Sequence, residues 1–181
     1  MTERKGAGMT DVITPPSQGV AVHDSEADYQ AVVLVESPPE AVFDALTTIT
    51  GLAGWWAPVT GAGSEGGELR FVFDGEDPLI IHVDMARRPS AITWTVLECE
   101  FLPDWAGTTL SFELTSRENG GCELHFRHHG LTPQLECFAV CTAGWDYHLS
   151  SLHDFVESGH GRPFTCSARR AAASPSKAGR P

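Results

Sequence analysis

From Glu68 to His129 apolar and polar residues alternate along the chain. Leu69, Phe71 and Phe73 share one phase, as do Leu79, Ile81, Val83 and Met85, then Ile92, Trp94 and Val96, then Leu110, Phe112 and Leu114, then Leu124 and Phe126. Residues such as Arg70, His82, Thr93, Glu113 and Arg127 stand between them. A period of two puts one face of each strand in a core and the other in water, as in antiparallel sheets. Gly66-Gly67, the stretch from Gly75 to Pro78, Arg88-Pro89-Ser90, the stretch from Pro103 to Gly107, and Asn119-Gly120-Gly121 punctuate the runs, the last with hairpin chemistry. Ahead of them Tyr29 to Glu36 (YQAVVLVE) reads as a first strand.

The period changes twice. Ser37-Pro38-Pro39-Glu40 has the form of a capping box with Ser37 as the cap, and Ala41, Val42, Ala45 and Leu46 follow at helical spacing. Gly51 and Gly54 interrupt that spacing, so a short second helix ends near Trp55-Trp56. Later, Thr132-Pro133 opens a helix of about 25 residues that Gly159 stops. Phe138, Cys141, Trp145, Leu149, Leu152 and Val156 form one stripe on it, flanked by His148 and Phe155. The stripe must be buried, and the apolar face of the sheet is its partner. The expected fold is α+β, of helix-grip type. A curved antiparallel sheet of about six to seven strands wraps around a long C-terminal helix, with two short helices after the first strand. It spans residues 28–164. Residues 1–27 and 165–181 are rich in small, polar and proline residues and read as disordered tails.

Charge narrows the partners. Lys and Arg total 12 against 24 Asp and Glu, a net charge of −12. Residues 28–164 hold six arginines, no lysine and 20 acidic residues. Such a field repels nucleic acid and anionic membranes. No apolar run approaches the roughly 18–20 residues of a membrane helix, and residues 1–16 lack the apolar core of a secretory signal. The expected address is cytoplasmic. The five cysteines (Cys99, Cys122, Cys137, Cys141, Cys166) are odd in number and form no CxxC, which fits free thiols. Cys137 and Cys141 are four apart but have no second pair to complete a metal site, so no metal is expected. The chain lacks GxxxxGK[ST], GxSxG and HExxH, and no cofactor is implied.

The order of elements is similar to that of the START-like, or SRPBCC, superfamily. The run from Ser37 to Leu46, Gly54-Trp55-Trp56, the run from Pro103 to Thr108, and Cys141 to Trp145 with the ending Val156 to Pro163 resemble one branch of it, the proteins similar to the C-terminal domain of the activator of heat-shock protein ATPase. The resemblance covers about residues 29–164. It implies a cavity between helix and sheet, in a superfamily whose members bind hydrophobic ligands, act as cyclases, or act on chaperones.

The inward face of the sheet and the helix stripe supply Phe71, Phe73, Trp94, Phe112, Phe126 and Trp145, with Trp55 and Trp56 near the mouth. Such a wall suits a hydrophobic or aromatic small molecule. His128 shares the parity of Leu124 and Phe126, and His148 borders the helix stripe, so these two histidines are the polar handles and the only catalytic candidates. His125, Arg127 and His129 have the opposite parity and read as a solvated face. The leading expectation is non-catalytic binding of a hydrophobic ligand. A cyclase- or dehydratase-like enzyme using a cavity histidine and a chaperone-ATPase-interacting module are the alternatives, and a homodimer stays open.

Overall fold

The computed structural model describes residues 28–73 and 77–164. The elements are β1 (Tyr29–Val35), α1 (Pro39–Thr47), α2 (Ile49–Trp55), β2 (Val59–Gly61), β3 (Glu68–Phe71), β4 (Leu79–Arg87), β5 (Ala91–Cys99), a 3-10 turn (Pro103–Trp105), β6 (Thr109–Ser116), β7 (Cys122–His129) and α3 (Phe138–Ser158). One seven-stranded sheet has the order β1-β7-β6-β5-β4-β3-β2, with every pair antiparallel. The curved sheet with its long C-terminal helix is the α+β helix-grip arrangement. The two expected tails, Cys166 and the tip of the Gly75 turn lie outside the described residues.

Strand parity carries over into burial. Leu69, Phe71, Ile81, Val83, Ile92, Trp94, Val96, Leu110, Phe112, Leu124 and Phe126 are all fully buried, while Arg70 and His125 are exposed. The phase slips at two bulges: Leu97 of β5 is skipped between the pairs Ile80–Glu98 and Ile81–Val96, and Asp84 of β4 between the pairs Val83–Trp94 and Met85–Thr93. An extra residue in one strand of a pair turns its neighbours over. In β5 Glu98 is therefore exposed and Cys99 buried, and in β4 Met85 is half-buried.

Three local expectations are corrected. Ser37 does not cap α1. The N-cap is Pro38, with no side-chain hydrogen bond, and the Ser37 hydroxyl donates to the carbonyl of Val156 on α3. The Glu157 carboxylate accepts from the backbone N–H groups of Glu36 and Ser37, so the end of α3 organises this corner instead. Thr132-Pro133 does not open α3. The chain makes two tight turns, Leu135 N–H to Thr132 O and Phe138 N–H to Leu135 O, and the helix starts at Phe138 with 21 residues. β3 ends at Phe71, which leaves Phe73 beyond the strand.

Three further contacts hold α3 against the rest. The Tyr29 hydroxyl on β1 donates to Asp146. Fully buried Ser151 donates to the carbonyl of Trp55 at 2.7 Å and accepts from Arg162 N–H at 2.6 Å, which ties α2, α3 and the segment after α3 together. Phe155 packs over Gly54, where a Cβ would come within 2.3 Å of its ring. Among the described residues no helix is long and apolar enough to cross a membrane.

Candidate functional site

Between α3 and one end of the sheet lies a cavity of about 190 Å³. Trp56, directly after α2, and Leu79, at the start of β4, line it together with Phe73. The β5–β6 connection adds Phe101, Leu102 and Trp105. α3 forms the roof with Val140, Cys141, Gly144, Trp145 and His148. Phe101 and Val140 are exposed on their outer sides, at 45% and 75%, and rim the mouth.

The ten candidate residues divide. Trp56, Phe73, Trp145 and His148 meet at the cavity. Phe71, Trp94, Phe112 and Phe126 point inward but are packed solid: Phe112 lies 4.7 Å from Trp94 and 5.0 Å from Phe126, ring centre to ring centre, and Phe71 lies 4.3 Å from Trp56. Trp55 does not stand at the mouth. It is fully buried, and its indole N–H donates to Ala45 O at 3.0 Å.

His128 is inward and fully buried, yet it does not border the cavity. Trp105 and Trp145 stand against its ring, both edge to face. Its Nδ1 accepts from the Trp145 indole N–H at 2.9 Å, which fixes the proton on Nε2. That N–H donates to Thr108 Oγ1 at 2.9 Å, and the threonine hydroxyl in turn donates to Trp105 O at 2.6 Å. Both ring nitrogens are therefore occupied. Burial pushes the His128 pKa down to about 3, with Asp28 opposing the fall and His129 adding to it. This neutral, saturated imidazole positions Trp145 and offers no free lone pair to a substrate.

His148 is different. Its Nδ1 is buried and has no hydrogen-bond partner among the described residues, and burial pushes its pKa down to about 4. Its ring stands edge to face with Trp56 and Tyr147. Trp94 Nε1 is likewise buried and unpartnered, deeper in the core and stacked on Trp56. A buried polar atom left unpaired costs about 1–3 kcal/mol, so each marks a place where the fold tolerates a deficit.

Trp105 belongs to the site, and strand parity could not find it, because it sits in the turn Pro103 to Gly107. It stacks on Trp145 at 5.7 Å, and its indole N–H donates to Cys141 Sγ at 3.3 Å. A tryptophan among turn residues was the available signal, since a turn has no reason to carry one unless it folds back on the core. Cys141 is no nucleophile. Burial and the neighbouring Cys137 push its pKa up to about 12, so it stays a thiol. Among the described residues no group of three or more His, Cys, Asp or Glu side chains is arranged to hold a metal.

On the outer face, His125 pairs with Glu123, while Arg127 and His129 gather around the Asp28 carboxylate. These groups are solvated and lie away from the cavity.

Comparison with known structures places this geometry among relatives. The Aha1 dimer of Colwellia psychrerythraea is similar at 28% identity and a TM-score of 0.64, over 73% of this chain and 97% of that one. SSP2350 of Staphylococcus saprophyticus (19% identity, TM-score 0.62, 76% and 97% covered) and CalU16 of Micromonospora echinospora (18%, 0.59, 78% and 87%) share the fold. A search of curated proteins finds no match. The description Activator of Hsp90 ATPase homolog 1-like protein matches residues 36–157, which take in every element from α1 to all but the last residue of α3, and the chain belongs to that family.

Proposed function

We propose that this protein binds a small hydrophobic or aromatic molecule, without catalysis, in the cavity between the β5–β6 connection and α3. The observation that carries the reading is the lining itself: three tryptophans, two phenylalanines and aliphatic side chains around about 190 Å³, with His148 as the polar ring among them. Apolar walls with a few convergent polar groups are the usual make-up of a ligand site. A dry cavity of about 150 Å³ is enough to hold benzene. The present one therefore suits a ligand of one or two rings and is too small for a sterol or a two-chain lipid.

The absence of catalysis is supported by chemistry. His128 is saturated, Cys141 is a protonated thiol, and the described lining residues include no carboxylate. General acid–base work needs a free group of suitable pKa within reach of the reacting atom. His148, held neutral, has no second group to complete such a pair.

Trp56, Trp105 and Trp145 make the site its own reporter. Titration of the full chain with indole and naphthalene should quench and shift tryptophan emission saturably, and raise the melting temperature in step. A broad panel of one- and two-ring compounds giving neither change would refute the reading.

For oligomeric state we propose a homodimer, supported by the Colwellia relative described as a dimer. Light scattering on the eluting protein should give twice the chain mass of 19.5 kDa, and a monomer mass at micromolar concentration would refute it.

A further inference from the structure

Aromatic rings make up most of the cavity wall. Trp56, Phe73, Phe101, Trp105 and Trp145 bring five of them to a space of about 190 Å³. The faces of such rings are negative and their edges positive. Two of the indole N–H edges are already used: Trp105 donates to Cys141 Sγ and Trp145 to His128 Nδ1. The described lining has no arginine or lysine, and burial holds His148 neutral by pushing its pKa down to about 4. The described wall therefore holds no positive charge of its own.

The surroundings attract one. Residues 28–164 carry 20 acidic residues against six arginines. Exposed Asp77, Glu100, Asp104 and Glu136 lie within four residues of the lining residues Leu79, Phe101, Trp105 and Val140. Leu79 pairs with Cys99, which brings the start of β4 and the end of β5, and with them Asp77 and Glu100, to one end of the sheet. Four of the six arginines are bonded to other carboxylates: Arg88 to Asp44, Arg117 to Glu36, Arg127 to Asp28 and Arg162 to Asp154. The carboxylates near the mouth are not the site; they make the potential around it negative.

The kind of cation follows from what the wall lacks. An ammonium group with N–H bonds needs acceptors when it leaves water, and the described lining offers no carboxylate. His128 is no substitute, since both its ring nitrogens are occupied. A quaternary ammonium has no N–H to satisfy and is attracted by ring faces within about 6 Å. We propose that the ligand is an aromatic quaternary ammonium ion, its charge among the rings of Trp56, Trp105 and Trp145. The proposal rests on the cavity reading and adds the charge of the ligand.

The test is equilibrium dialysis of the full chain against phenyltrimethylammonium and tert-butylbenzene, which share a shape and differ in charge. The cation should bind roughly tenfold tighter at low salt, the range expected of desolvated cation–π contacts. Benzylammonium, which carries N–H bonds, should bind more weakly than phenyltrimethylammonium. Protein grown with fluorotryptophan, whose ring faces are less negative, should lose most of the preference and keep its affinity for tert-butylbenzene. Glu100→Gln combined with Asp104→Asn alters two exposed side chains and should weaken binding of the cation alone. Equal or reversed affinities of the first two probes in the unaltered protein would overturn the charge of the ligand and leave the cavity reading standing. Benzylammonium binding as tightly would overturn its quaternary nature. A preference undiminished by fluorination would overturn the role of the tryptophan faces, and an unchanged cation affinity in the double variant that of the carboxylates. Failure of all three probes to bind would instead overturn the cavity reading itself.

Discussion

Taking the protein from pH 7 to pH 4 is expected to remove about 6 kcal/mol of stability, through His128 and His148. Burial is the first cause for both, lowering their pKa values to about 3 and about 4. An unfolded histidine titrates near 6.5, so below that pH the unfolded chain takes up protons that the folded one refuses. Stability is therefore complete above about pH 6.5 and is lost as the pH falls toward the folded values. Domains of this size have about 5–15 kcal/mol in all, so acid unfolding should begin well above the carboxylate range. Urea midpoints measured at half-unit steps from pH 7.5 to 4 give the slope. His148→Phe should flatten it by its share, about half. His128→Leu should flatten the other half but lower stability at pH 7, because Trp145 Nε1–H loses its acceptor and Thr108 its donor. A profile level down to pH 4.5 would refute the neutral, buried state of both rings.

Trp56→Ala should cost about 3–5 kcal/mol, the range for emptying a large aromatic site in a packed core. Trp56 is 2% exposed, and its ring meets Trp55, Phe71, Phe73, Trp94, Trp145 and His148. It joins the sheet core to the cavity wall, so its loss enlarges the cavity as well as weakening the core. Chemical unfolding at pH 7.5 measures the loss. Where too little folded alanine variant remains, Trp56→Phe should show a smaller loss of the same sign. A cost below about 1 kcal/mol would mean that the core closes over the space.

How far the sequence reveals this molecule depends on the kind of order in question. Strands β3 to β7 were legible because parity is local: Phe112 follows Leu110 by two and must face the same way. β2 was not, since three residues are too few to show a period. The start of α3 was misread because Thr132-Pro133 carries real cap chemistry, while the true N-cap, Cys137, uses none. At the site, parity separates inward from outward but cannot tell a ring beside empty space from a ring beside another ring. Phe71, Trp94 and Phe112 share the orientation of residues that border the cavity. What sets them apart is the volume of neighbours far away in sequence, such as Trp56 beside Phe71. His128 shows the same limit from the polar side. Its inward direction followed from Leu124 and Phe126, but its two partners, Trp145 and Thr108, are matched only once the chain has folded.

The pairing of β1 with β7 sets the order in which the fold can be made. Tyr29 lies opposite His128 and Val35 opposite Cys122, so the sheet's first strand finds its neighbour only after nearly all the others exist. On a ribosome, the apolar segment YQAVVLV waits unpaired while some ninety further residues emerge. Closing a loop of that length precedes any reward from the contacts it brings, so folding should fall in the slow, millisecond-to-second range of proteins ruled by distant pairings. During that interval the exposed strand is the segment most open to wrong partners, and folding rate rather than final stability governs how much chain is lost to them.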